Sequence, residues 1–210
     1  MDRNEVEAWL NAYDVENYTI NEDLSVDVKS SVFLSSRYLV EIPIKFRNVS
    51  GSFFCNDNKL TNLEGCPIKV SIGFYCYDNN LVSLLGGPID VGVDFGCHNN
   101  FLTSLVGGPV RVGGSFICLG NNLSSLEGCP VEIVGDFDCS NNKLTSLEGC
   151  PVSVGGIFEC DNNKIIDSEV FLYSCVPEQV SQYYKNKHLS EGLKNNLSEK
   201  VEVDIKRKKL

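Results

Sequence analysis

The chain has 210 residues, a formal net charge of −10, 42% hydrophobic and 22% charged residues, 18 glycines and ten cysteines. This suits a soluble globular protein with a real core, and the acidic balance excludes a broad nucleic-acid grip, which needs clustered Lys and Arg. No stretch approaches the 18 consecutive apolar residues of a membrane span.

The first residues, MDRNEVEAWLNAYD, are acidic and amphipathic. They lack the basic and apolar regions of a signal peptide, so the expected setting is a reducing cytoplasm where lasting disulfides are rare. Val6, Trp9, Leu10 and Tyr13 at helical spacing predict a short helix over whatever follows. NYTINEDLSVDVKSSVFL at 17–34 alternates as a strand leading into the main body. Residues 1–27 thus read as an N-terminal cap.

A repeat then takes over. Cys55, Cys76, Cys97, Cys118, Cys139 and Cys160 are each 21 residues apart. Each is preceded two positions earlier by Phe (Phe53 to Phe158) and followed three positions later by Asn (Asn58 to Asn163). Two apolar columns follow, beginning at Leu60 and Leu63, then a proline column from Pro67 to Pro151, and a β-branched column precedes each cysteine by six. The unit is V-x3-F-x-C-x2-N-x-L-x2-L-x-G-x-P. In F-x-C the alternate side chains point inward on a short strand, the Asn turns the chain, and Gly-x-Pro bars a long helix. Val28, Val32, Leu34, Leu39 and Ile42 extend the frame one coil upstream, with Arg37 in the Asn column. The predicted fold is a β-rich, leucine-rich-repeat-like solenoid over 28–168. It has about seven 21-residue coils, one short parallel strand in each, and imperfect terminal coils as caps demand. Residues 169–210 read as a C-terminal helical cap ending in the one basic run, IKRKKL.

The unit resembles that of leucine-rich-repeat-like proteins encoded by tailed bacteriophages and some bacteria, where it takes forms close to VGDFDCSNNKLTSLEGCP at 134–151. AWL, NYTINEDLSVDV and EIPIKFRNVSGSFFCNDNKLTNLEGCP resemble the lead-in of that family, and the resemblance spans roughly residues 5–165. It implies the solenoid fold, a phage-encoded protein at work in the cytoplasm of a bacterial host, and, by analogy with small phage accessory proteins, anti-defence inhibition of a host factor.

Catalytic chemistry has little support in the sequence. No C-x2-C pair occurs, and zinc ligands usually come in such short pairs. The repeating cysteines read as small buried hydrophobes, with Cys66, Cys129 and Cys150 as a second small-residue column and Cys175 in the C-terminal cap. His98 follows Cys97 directly, so the two point to opposite faces and cannot pair as base and nucleophile. The glycine pairs lack the Lys-Ser/Thr of a phosphate loop. The expectation is a non-enzymatic protein without cofactor or metal.

Function should then sit where outward positions depart from the repeat. On the open, expected concave, sheet these are Phe54, Tyr75, Tyr77, His98, Ile117 and Leu119, with Phe101 in a column otherwise held by Lys and Asn, and an acidic set Asp136, Asp138, Glu159 and Asp161. An aromatic strip on a solvent-facing sheet beside carboxylates has the layout of a protein-binding hot spot. The leading expectation is docking of a bacterial host or phage protein there, with no role for nucleic acid or membrane. The alternative is a self-associating structural or virion-associated protein, a homo-oligomer built on its sheet edges or the same strip.

Overall fold

The computed structural model describes residues 1–165, which form a β-solenoid with a single short helix at its N-terminal end. The expected C-terminal cap and basic tail, with Cys175, lie outside the described residues.

Helix α1 (Arg3–Ala12) starts at Asp2 through a reciprocal capping box. The Glu5 amide donates to Asp2 Oδ1 at 2.9 Å, and the Asp2 amide donates to Glu5 Oε2 at 2.7 Å. Val6 and Leu10 are buried beneath it, and Trp9 meets Phe46 edge-on at 6.3 Å. The helix thus seals the open end of the core with the face the sequence marks as apolar. Arg3 fastens it by donating to the carbonyls of Ile20 and Asn21 at 3.1 and 3.0 Å. A hairpin of β1 (Tyr18–Ile20) and β2 (Val26–Val28) follows, and its antiparallel pairing contrasts with the parallel pairing of every later described strand. Asp27 on β2 accepts from Arg47 and Asn48, and the Arg47 guanidinium above all holds its pKa down at about 2.

Each coil carries the expected strand at its Phe position and a second at its Val position. The Phe strands form one parallel sheet of seven, from Val32–Phe33 to Phe158–Glu159. The Val strands form the other, an eight-stranded sheet that includes the hairpin. Pairing is in register with the repeat, Phe53 opposite Phe74 and Val70 opposite Val91, so equivalent residues stack coil on coil. Between the sheets Phe53, Phe74 and Phe95 stack at 5.6 and 5.7 Å, and the Cys and two Leu columns are almost wholly buried beside them.

Two left-handed corners recur around the coils. The position two after each repeating cysteine is left-handed in six coils: Asp57, Asp78, Asn99, Gly120, Asn141 and Asn162, with φ between 52° and 65°. Only Asn, Asp and Gly occupy it in these coils, the residues that tolerate this conformation. The second corner is the Gly of L-x-G, for example Gly86 at φ 87°. Beside the first corner runs a buried asparagine ladder. Asn100 Nδ2 donates to the carbonyls of Cys76 and Cys97, both at 3.1 Å, while its Oδ1 accepts from the Leu81 amide at 3.0 Å. Neighbouring coils are thereby tied by a side chain that satisfies buried backbone groups. In the first coil Arg37 has no such side chain, and Asn58 of the next coil accepts from the amides of Arg37 and Leu39.

Candidate functional site: an aromatic ladder on the phenylalanine sheet

The outward side chain of each Phe strand is the residue just before the Cys column, and the residue just after it lies beside that position. Parallel register stacks these residues along the solenoid. Phe54 and Tyr75 stack face to face at 4.9 Å with 12° between ring planes, and Tyr77 and His98 at 4.3 Å with 10°. Tyr75 meets Tyr77 edge-on at 6.5 Å, which joins the two stacks. Phe33 extends the ladder by stacking on Phe54 at 5.1 Å and is 62% exposed. Sequence reasoning overlooked Phe33, although its place just before Leu34, the Cys-column residue of the first coil, marks it.

Two glycines seat the central rings. A side chain at Gly73 would collide with the Tyr75 ring and hydroxyl, and a Cβ at Gly96 would lie 3.4 Å from Tyr75 and 3.7 Å from both Tyr77 and His98. Tyr75, Tyr77 and His98 therefore converge over Gly96, the one position in its column without a side chain. Burial, then the charge of Asp94 beside its hydroxyl, raises the Tyr75 pKa. Burial lowers that of His98 against the opposing pull of Asp78 and Asp138, and His98 Nδ1 is buried without a hydrogen-bond partner. Burial in the stack thus favours the neutral imidazole.

The remaining residues of the expected site are spread more widely. Ile117 pairs in register with Gly96, and the carbonyl of Leu119 accepts from the Asn99 amide; both side chains are half-buried and continue the apolar strip. Phe101 is 53% exposed beyond the Asn100 turn and has no ring contact with the ladder. Asp136 lies in a ladder that caps backbone amides: its Oδ1 accepts from the Ile157 amide at 2.8 Å, as Asp94 does from Ser115. Asp138 accepts from the Ser140 amide at 2.9 Å in a local turn. Glu159 and Asp161 are exposed on the last described coil.

This geometry limits the chemistry. Because neighbouring rings cover one another's faces along the ladder, the interior rings present edges outward. Edge presentation suits apolar and aromatic side chains of a partner and leaves little open ring face for a sugar or base to stack on. The described thiols are buried or half-buried, and burial raises the pKa values of Cys66, Cys76, Cys97, Cys118, Cys129, Cys139 and Cys150, the last to about 12, which disfavours a nucleophilic thiolate at these positions. Among the described residues no three His, Cys, Asp or Glu side chains gather as a metal site, and no helix is long and apolar enough to cross a membrane.

Comparison with protein-family models, curated proteins and solved structures finds no match.

Proposed function

We propose that this chain is a non-catalytic protein-binding module that docks its partner on the outward face of the phenylalanine sheet. The observation that carries this reading is the continuous stack Phe33–Phe54–Tyr75, joined through Tyr77 to His98 and seated on two glycines where neighbouring coils carry side chains. A pre-stacked set of rings has little side-chain entropy left to lose on binding, which favours affinity. Asp78 and Asp94 lie beside the rings, so a complementary partner offers apolar side chains flanked by Lys or Arg. The repeat-family resemblance supports a more specific reading: a phage-encoded protein in the bacterial cytoplasm that inhibits a host defence or regulatory protein.

The test is affinity capture from bacterial lysate with wild type and with Tyr75→Ala/Tyr77→Ala, followed by reconstitution with the purified partner. A specific partner that forms a stoichiometric complex with wild type and binds the double variant at least tenfold more weakly is the expected result. Equal binding by both forms, with both folded by circular dichroism, overturns the assignment of the face.

A further inference from the structure

The valine sheet carries a second patterned surface. The residue after each proline forms an aliphatic ridge over five successive coils: Ile68, Ile89, Val110, Val131 and Val152, exposed by 53, 57, 76, 65 and 38%. Backbone bonds fix the stacking, with the Ile89 amide on the Ile68 carbonyl and the Val110 amide on the Ile89 carbonyl, both at 2.9 Å. At about 4.8 Å per coil the ridge is about 19 Å long. A continuous exposed aliphatic stripe of this kind marks a contact surface.

Beside the ridge runs the next column, Asn48, Lys69, Asp90, Arg111, Glu132 and Ser153, whose charges read neutral, plus, minus, plus, minus, neutral. Within one chain the pairing is uneven. Asp90 takes Lys69 at 3.3 Å and Arg111 at 2.6 Å, while Glu132 has no ion pair among the described residues.

We infer that the valine-sheet face is a two-fold interface with a second copy of this chain, the coils of the two copies running in opposite directions. Of the two-fold arrangements that lay this face on itself, only the antiparallel one makes the row self-complementary. Reversed about its midpoint, Lys69 meets Glu132 of the second copy, Asp90 meets Arg111, and Asn48 meets Ser153. Copies running the same way would set every charge against its like, which disfavours that arrangement. The same axis lays ridge on ridge, Ile68 against Val131 and Ile89 against Val110, and gives Glu132 a cation from the second copy. The arrangement is isologous and closes as a dimer. It uses the valine sheet and none of the ladder residues, so it stands independently of the proposed partner site.

Sedimentation equilibrium of the full chain tests it. Wild type is expected to reach twice the chain mass at concentrations up to about 0.1 mM. Lys69→Glu alone and Glu132→Lys alone are each expected to weaken association at least tenfold, since each homodimer then faces like charges at both ends. An equimolar mixture of the two variants restores the dimer, because at both ends an acidic side chain of the first variant meets a basic side chain of the second. Both positions are exposed, and circular dichroism confirms folding of each variant. Monomeric wild type, unaffected single variants, or a mixture that stays monomeric each overturns the proposal. So does loss of the dimer in Tyr75→Ala/Tyr77→Ala, which would place association on the aromatic face instead.

Discussion

A single asparagine does in each coil what a backbone ladder does elsewhere. The Asn100 side chain reaches the Cys76 and Cys97 carbonyls, the His98 carbonyl at 3.2 Å and the Leu81 amide, so one amide group spans two coils. Alanine in its place leaves the buried Leu81 amide unpaired, a cost of about 2 kcal/mol, while the Cys76, Cys97 and His98 carbonyls keep Asn79, Asn121 and the Asp78 amide as donors. Aspartate is worse, because a carboxylate offers no donor to three carbonyl oxygens. Urea denaturation of Asn100→Ala and Asn100→Asp checks both the size and the order, and a loss below about 1 kcal/mol in either would show that the ladder is not a tie. Arg37 marks the limit of this device: Asn58 of the second coil serves the Arg37 and Leu39 amides and the Leu34 carbonyl, and no repeat coil precedes the first for an asparagine there to tie.

At the scale of the repeating element, the strand, turn and core columns were legible because each is one residue type at one phase. The Phe strand and the buried Cys and Leu columns lie where the 21-residue frame puts them, and the capping helix lies where the helical spacing of Val6, Trp9, Leu10 and Tyr13 puts it. The second strand was harder to see, since a two-residue element at Val has no alternation to betray it. The left-handed corner was written as Asp57, Asp78, Asn99, Gly120, Asn141 and Asn162, a column recognisable only when its φ requirement is in mind. For the aromatic site, the phase supplied the face, but ring order and the Gly73 and Gly96 seat depend on side-chain directions that spacing does not carry. The cysteine column has its own consequence. Burial raises the pKa of Cys97, Cys118, Cys129, Cys139 and Cys150 above the ordinary 9.0, so the folded chain keeps thiol protons that the unfolded chain gives up. Stability is full below that ordinary value and falls as pH rises towards the raised ones. Urea midpoints in reductant should therefore drop between about pH 8 and 10, and Cys118→Val should flatten the slope by about one proton. A midpoint constant across that range would contradict burial of the thiols as protonated groups.

Over the whole molecule, each coil leans only on its two neighbours, and stability is close to a sum of coil and interface terms. Deleting residues 121–141 joins Gly120 to Asn142 and keeps every column in phase. The shortened chain should give an unchanged β-type circular dichroism spectrum per residue and a single cooperative melt. It retains Phe33 to His98 and loses Glu132, so it should keep the aromatic-face partner and fail to dimerise. Aggregation of the deletion, or retention of the dimer, would show that the coils or the two faces are not separable in this way.

The in-phase stacking of near-identical units also has a hereditary side. Unequal exchange between the stretches encoding two such units adds or drops one whole rung without breaking the reading frame or the hydrogen-bond register. Length can therefore drift among descendants in steps of one rung. The aromatic and charged surfaces, each written across particular rungs, are passed on or lost in blocks, and a lineage can trade one for the other without redesigning its scaffold.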